Sequence, residues 1–340
     1  MRIKSKRLAT CALAAIAITG CSAAQTAGVP AAATYAAPQG VVPDKKGTVT
    51  FYPDTFGDAS LDGIVAGPDG ALWFTDEGNG AIGRITTSGS YTLQQIVSPG
   101  PSNGITVGPD KRLWFTLSSG GVGRMTTGGK VKYFSNPPGL FPQGITTGPD
   151  GALWFAQSDG TVGRITTKGK VTNVTAAPDN AQLHGIVTGP DGNLWITQEM
   201  VNGSQLSNQV IRLTTDGKAT SFTVGSGPTW ICVGRDKALW FTERGANAIG
   251  RLTTAGKYTE FPTGYEYGIP SGIALGPDGA LWFSDFTGRL GIGRITVKGK
   301  IRFFSVPSVE GEFRQITAGP DGAMWFSSYL SPGIGRITVH

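Results

Sequence analysis

A unit of about forty residues recurs along nearly the whole chain, and no other feature limits the possible folds as sharply. Residues 144–171, GITTGPDGALWFAQSDGTVGRITTKGKV, show it in full: an apolar run, a Gly-Pro-Asp-Gly turn, the run Ala-Leu-Trp-Phe, a loop, the run Val-Gly-Arg-Ile-Thr-Thr, a Lys-Gly-Lys turn and a last run. The second run is marked by Trp73, Trp114, Trp154, Trp195, Trp240, Trp282 and Trp325, spaced 41, 40, 41, 45, 42 and 43 residues apart. The third run supplies a parallel series, Arg84, Arg124, Arg164, Arg212, Arg251, Arg294 and Arg336. Each run is too short for a helix and is bounded by Gly, Pro, Asp or Lys-Gly. Four strand-like runs at a period near forty predict an all-β chain, a seven-bladed β-propeller with four antiparallel strands per blade. The 52 glycines and the low share of charged residues, 15%, suit short strands joined by tight turns.

The seventh copy stops at Val339-His340, before a fourth strand. Residues 47–53, Gly-Thr-Val-Thr-Phe-Tyr-Pro, resemble the fourth strands 132–134 and 257–262, so the propeller is expected to span 47–340 with this N-terminal strand completing the last blade. Closure of that kind removes a seam of unpaired edges. The Trp and Arg series invite a reading as a binding array. A residue required in every copy serves what the copies share, however, and both series are expected to be structural.

Residues 1–20 read as an export signal: Arg2, Lys4, Lys6 and Arg7 precede an apolar stretch, 8–18, too short to span a bilayer. Ile18-Thr19-Gly20-Cys21 looks like a bacterial lipobox with Cys21 as the lipidated first mature residue; the alternative is an ordinary signal in which Cys21 is incidental. Loss of those four cations from a net charge of +6 leaves about +2, so nothing points to nucleic acid, which needs a clustered basic face. Residues 21–46 read as a lipidated cysteine and a flexible tether rich in Ala, Gln, Thr, Pro and Gly. The expected place is the bacterial cell envelope, with membrane contact through the lipid alone, as a monomer; in a Gram-negative cell the outer membrane facing the periplasm is favoured.

The 1–2 and 3–4 turns of a blade share one face, and here they are monotonous. The 2–3 loops and blade-to-blade links share the other face and vary. Copy four carries an insertion within residues 199–208, and the links 136–143, 176–184 and 306–314 are unlike one another. Binding residues concentrate on loops held by a rigid scaffold, so the varied face is the expected site, for a small molecule or a protein partner. The residue before each first strand is expected at the channel mouth: Asp62, Asn103, Gln143, His184, Thr229, Ser271 and Arg314, seven unlike polar residues in a repetitive chain. Tailoring to a ligand and simple wetting of the mouth both account for them. His184 is the candidate catalytic group, able to act as base, acid or ligand, and Glu199 begins the inserted loop of the same copy. Equivalent strand ends offer Asp76, Glu77, Glu243 and Asp285. Trp230 follows a mouth residue at a position that is glycine in most other copies; it either stacks on a ligand or plugs the channel.

Repeats such as Ala280-Leu-Trp-Phe-Ser-Asp285 with Ile292-Gly-Arg-Ile-Thr296 resemble the virginiamycin B lyase family over roughly residues 47–340. The resemblance implies a seven-bladed propeller that opens a cyclic depsipeptide at its ester bond by elimination, with Mg²⁺ and a histidine base. It also implies a Pro-His pair before the first strand of each of the last two blades. Here those positions read Pro270-Ser271 and Phe313-Arg314. The carboxylate two residues before the second histidine is matched by Glu312, a candidate metal ligand, and the other acidic ligand falls on Tyr329. The leading expectation is therefore a ligand-binding or partner-binding propeller without the family's chemistry. A divergent lyase using His184 and Glu312, with Mg²⁺, is the alternative, beside a hydrolase or lactonase and a scaffold role.

Overall fold

The computed structural model describes residues 47–57, 59–96, 100–135, 140–178, 181–199, 208–265, 267–306 and 311–339. The expected signal, Cys21, the tether and residues 200–207 of the inserted loop lie outside the described residues. The described elements are twenty-eight strands, β1–β28, in seven antiparallel sheets of four. Contacts between first strands run in a closed circuit: β2 (Leu61–Ala66), β6 (Pro101–Val107), β10 (Pro142–Thr147), β14 (Gln182–Thr188), β18 (Pro228–Val233), β22 (Pro270–Leu275), β26 (Phe313–Ala318), and back to β2. These strands line the channel.

The tryptophans hold neighbouring blades together. Trp73 packs with Leu113 and Phe115 of the second blade, Trp114 with Leu153 and Phe155 of the third, and so on to Trp325, which packs with Leu72 and Phe74 of the first. Each indole is fixed by the Asp of its own blade's first turn, Gly-Pro-Asp in six blades and Gly-Arg-Asp in the fifth. In all seven copies Nε1 donates to an Asp oxygen at 2.9–3.1 Å, as from Trp73 to Asp69 and from Trp325 to Asp321. In five blades the other carboxylate oxygen accepts from Arg Nε at 2.6–2.8 Å, and the same guanidinium lies 5.7–5.9 Å above the indole. The fourth strand covers the other side of the ring: Phe134 on Trp114, Phe222 on Trp195, Phe261 on Trp240 and Phe304 on Trp282, with centroids 5.1–5.5 Å apart. The turn glycines take φ near +75°, and Lys111 and Lys237 hold the same left-handed conformation at φ 56° and 57°, which costs an L-residue about 1–2 kcal/mol.

The chain closes as expected. β1 (Val49–Pro53) pairs with β28 (Gly333–Ile337) from Val49↔Ile337 to Pro53↔Gly333, completing the sheet of β26 and β27 (Met324–Ser328). Tyr52 stacks on Trp325 at 5.7 Å, the place the fourth-strand phenylalanines hold elsewhere. The Tyr91 hydroxyl donates to the Tyr52 carbonyl at 2.6 Å and accepts from the Ile334 amide at 3.0 Å, tying the first blade to the seam.

One exchange shows how tightly the blades are packed. In six blades the Phe after the Trp faces a glycine across the second and third strands, as Phe155 faces Gly163. A Cβ on Gly163 would lie 2.0 Å from the Phe155 ring. The fourth blade replaces the pair with Ile196 and Ile211, dividing the same space between two branched side chains. Gly163→Ile alone should therefore lower stability by about 1–3 kcal/mol through overpacking, and adding Phe155→Ile should recover most of the loss. Thermal melts of the two single variants and the double variant check this; additive losses would break the pairing argument.

Candidate functional site

The varied face is built on a defect repeated in every blade. Each first strand slips register against the second, between Leu61 and Ile64 in the first blade and at the equivalent residues of the other six. A β-bulge of this kind leaves a residue unpaired and re-aims its side chain. The seven expected mouth residues sit at these bulges, inside the strands and not ahead of them. That corrects the expectation, and the reason is that pairing resumes beyond the bulge, as from Arg244 N to Gly227 O at 2.8 Å.

The bulge is secured through backbone. In six blades a hydroxyl two residues after the Trp accepts from an amide of its own blade's first strand, as Thr75 does from Gly63 at 2.9 Å and Ser284 from Gly272 at 2.9 Å. It then reaches the following blade: Thr197 donates to the Thr229 carbonyl, Ser284 to that of Arg314 at 2.5 Å, and Ser327 to that of Asp62. Glycine at the bulge admits the neighbouring strand, since a Cβ on Gly63 would lie 2.3 Å from the Asn103 carbonyl. Trp230 and Gln315 hold this position in the fifth and seventh blades. Trp230 lines a cavity of ≈ 60 Å³ in the channel with Ile64, Asn103, Ile105, Ile145 and Gln315, and its partly buried side chain packs against the core between the fifth and sixth blades.

The mouth side chains form unlike groups. Asn103 donates to Gln143 at 3.4 Å, and the Thr229 and Thr242 hydroxyls lie 2.9 Å apart. Thr229 and Ser271 are buried. His184 Nε2 lies 3.1 Å from a Glu199 carboxylate oxygen, and this bond holds the Glu199 carboxyl below its ordinary range. On the seventh blade Arg314 donates to Glu312 at 2.9 Å, and its guanidinium is sandwiched 4.6 Å from the Phe286 ring and 4.4 Å from the Tyr329 ring. Arg244 lies 4.8 Å over the same Phe286. Burial pushes the Asp62 carboxyl up to about 7; the charges of Arg314 and Arg244 act against that, while Glu77 adds to it. Two buried donors, Arg314 Nε and Gln315 Nε2, have no acceptor among the described residues. Buried donors are rarely left bare, so this end of the mouth is suited to a ligand or water that accepts hydrogen bonds.

Two expected binding residues belong elsewhere. Glu243 and Asp285 are buried three residues after their tryptophans, and alternation along the strand points them away from the residues four after. Asp285 accepts from the amides of Ile269 at 2.8 Å and Leu290 at 3.0 Å and from the Thr287 hydroxyl at 2.5 Å, fixing loops. Glu243 accepts from the Gly225 amide at 2.9 Å and the Tyr258 hydroxyl at 2.7 Å, and that hydroxyl also lies 3.0 Å from Glu260. Asp76, at the same offset, accepts from the Ser60 and Asn79 amides at 3.1 Å. The fourth-residue positions Glu77, Glu199, Arg244, Phe286 and Tyr329 are the ones grouped at the mouth. Arg244 and Phe286 were readable as unlike residues at one repeat offset.

The residues present do not fit a Mg²⁺ ion held as the resemblance implies. Glu312 is bound to Arg314, Tyr329 stands where the second acid would be, and a hard divalent cation calls for several oxygen ligands. Among the described residues no group of three or more His, Cys, Asp or Glu side chains could hold a metal ion.

The Virginiamycin B lyase family model matches residues 40–205 and 179–340. The crystal structure of virginiamycin B lyase from Staphylococcus aureus superposes with a TM-score of 0.79 at 30% identity, covering 87% of this chain and 100% of that one. A catalytically inactive histidine-to-alanine variant of that enzyme, crystallised with quinupristin, gives the same values. A streptogramin B lyase structure matches with a TM-score of 0.79 at 27% identity, over 86% of this chain and 98% of that one. No curated protein matches the sequence.

Burial pushes the Glu243 carboxyl up to about 7, with the Glu260 charge adding to it and the Tyr258 hydroxyl opposing it. A carboxyl whose folded pKa is raised contributes stability that is present below the ordinary carboxyl range and lost as pH rises through its folded value. Thermal stability should therefore fall between about pH 4.5 and pH 7 and level off above it. Glu243→Gln should flatten that fall and gain about 1–3 kcal/mol at pH 8; melts across this range that match the native protein would refute the assignment.

Proposed function

The chain belongs to the virginiamycin B lyase family, and from that premise we propose that it is a lipid-anchored cell-envelope protein whose propeller binds a ligand on its variable-loop face without the family's elimination chemistry. The observation that carries this reading is Arg314. Elimination from an ester begins with removal of a proton by a base. At the two positions where the family resemblance implies histidines stand Ser271, a hydroxyl that does not act as a base at neutral pH, and Arg314, a permanent cation. Stacking between Phe286 and Tyr329 and the bond to Glu312 hold that cation in place. What remains is a binding surface with unfilled donors, two guanidiniums and half-buried rings. A tether over residues 21–46 fits the export signal and the Cys21 lipobox.

A second reading rests on a separate pair. His184 and Glu199 have the arrangement of a base oriented by a carboxylate, which serves a hydrolase or a divergent lyase acting from the fourth blade.

Incubating the purified mature protein and Mg²⁺ with quinupristin separates the two. Elimination conserves mass, so ring opening is followed by chromatographic retention. The substrate should stay intact over hours; ring opening that vanishes in His184→Ala would overturn the binding-only reading. For the anchor, the full chain expressed in a bacterium should partition with membranes, and Cys21→Ser should release it to the soluble fraction; an unchanged partition would overturn lipidation.

A further inference from the structure

Beside the channel mouth, between the fifth and sixth blades, lies a pocket of ≈ 600 Å³ that shares Arg244 with the mouth. That volume is within the range that small molecules fill. Arg244, Asn247, Tyr267, Thr287 and Arg289 line it, and none of the described lining residues is a carboxylate. Each arginine is backed by a ring: Arg244 lies 4.8 Å over Phe286, and Arg289 lies 5.9 Å over Tyr267. A guanidinium stacked on a ring keeps its in-plane N–H donors free for an oxyanion. Neither guanidinium is ion-paired among the described residues. Tyr267 leaves 65% of its surface exposed, a large apolar area for a surface loop.

The walls are constructed. Asn247 holds a left-handed conformation at φ 48°; its side-chain amide donates to the Tyr265 carbonyl, and its carbonyl accepts from Thr263 at 2.7 Å. Across the pocket the buried Asp285 carboxylate binds Ile269, Thr287 and Leu290, setting the loop that carries Phe286 and Arg289. The charges of Glu199, Glu312 and Asp62 act on Arg244 from the mouth. An anion therefore meets its least opposed partner in Arg289.

We propose that this pocket binds a small molecule carrying an oxyanion on a planar ring, the oxyanion taken by Arg244 and Arg289 and the ring laid against Tyr267. The proposal rests on the reading of the variable face as the binding face and names the class of ligand. Purified mature protein is titrated by calorimetry with phenyl phosphate, benzoate, phenol and inorganic phosphate. Phenyl phosphate or benzoate should bind with a dissociation constant on the order of 0.1–1 mM at low salt, and the stronger of the two identifies the oxyanion. Phenol and inorganic phosphate should bind at least about ten-fold more weakly. Arg289→Gln, a change on an exposed loop, should weaken binding about ten-fold, and 0.5 M salt should weaken it further. No binding of either aryl anion, or binding that Arg289→Gln and Arg244→Gln leave unchanged, overturns the pocket. Inorganic phosphate binding as tightly as phenyl phosphate removes the ring from the proposal. Amide shift changes on adding phenyl phosphate distinguish the two levels. Changes confined to Asp62 and Arg314 would sink the pocket and spare the face, and changes confined to the Gly-Pro-Asp turns would sink both.

Discussion

The ring depends on one arrangement: an indole set into the next blade and fixed by the aspartate of its own turn. Deleting a buried tryptophan costs on the order of 3–5 kcal/mol in general, and here the same side chain recurs at each of seven interfaces. The aspartate gives the indole an orientation that packing alone does not fix, and in five blades the arginine adds charge to the same carboxylate. The triad sits at the turn end of the blade. The mouth lies at the other end, so the packing triads and the variable mouth occupy opposite faces.

This division explains what was legible in the sequence. A contact repeated seven times writes itself as a period, and the blade count, the strand order and the closing role of 47–53 all follow from it. The second duty of each turn aspartate was hidden, because Gly-Pro-Asp-Gly is already accounted for as a turn. The mouth was harder for a different reason. Glu243 and Arg244 are sequence neighbours whose side chains part company, one into a buried network and the other toward Arg314 and Phe286. Strand parity decides this, and a bulge shifts parity by one residue. Groupings such as Asp62 with Arg314 span the closure of the ring and leave no trace in local pattern.

The electrostatics of the mouth differ from those of a base-and-metal centre. Cations supplied by the chain itself, Arg244 and Arg314, lie among Asp62, Glu199 and Glu312, and aromatic faces hold both guanidiniums in place. Positive charge fixed in this way is present at every physiological pH and needs no recruited ion. Such charge suits the electron-rich groups that the proposed binding role assigns to this face.

The hydroxyl bridges at the bulges have a further consequence. Thr197, Ser284 and Ser327 grip the carbonyls of Thr229, Arg314 and Asp62, never their side chains. In these three bridges the scaffold takes only main chain from the mouth position, whereas Thr242, the fifth blade's equivalent hydroxyl, also meets the Thr229 side chain. A lineage can trade a histidine for a serine or an arginine there without loosening the ring. The fold can therefore be kept while the mouth side chains change, so a shared backbone does not by itself identify the chemistry at the mouth.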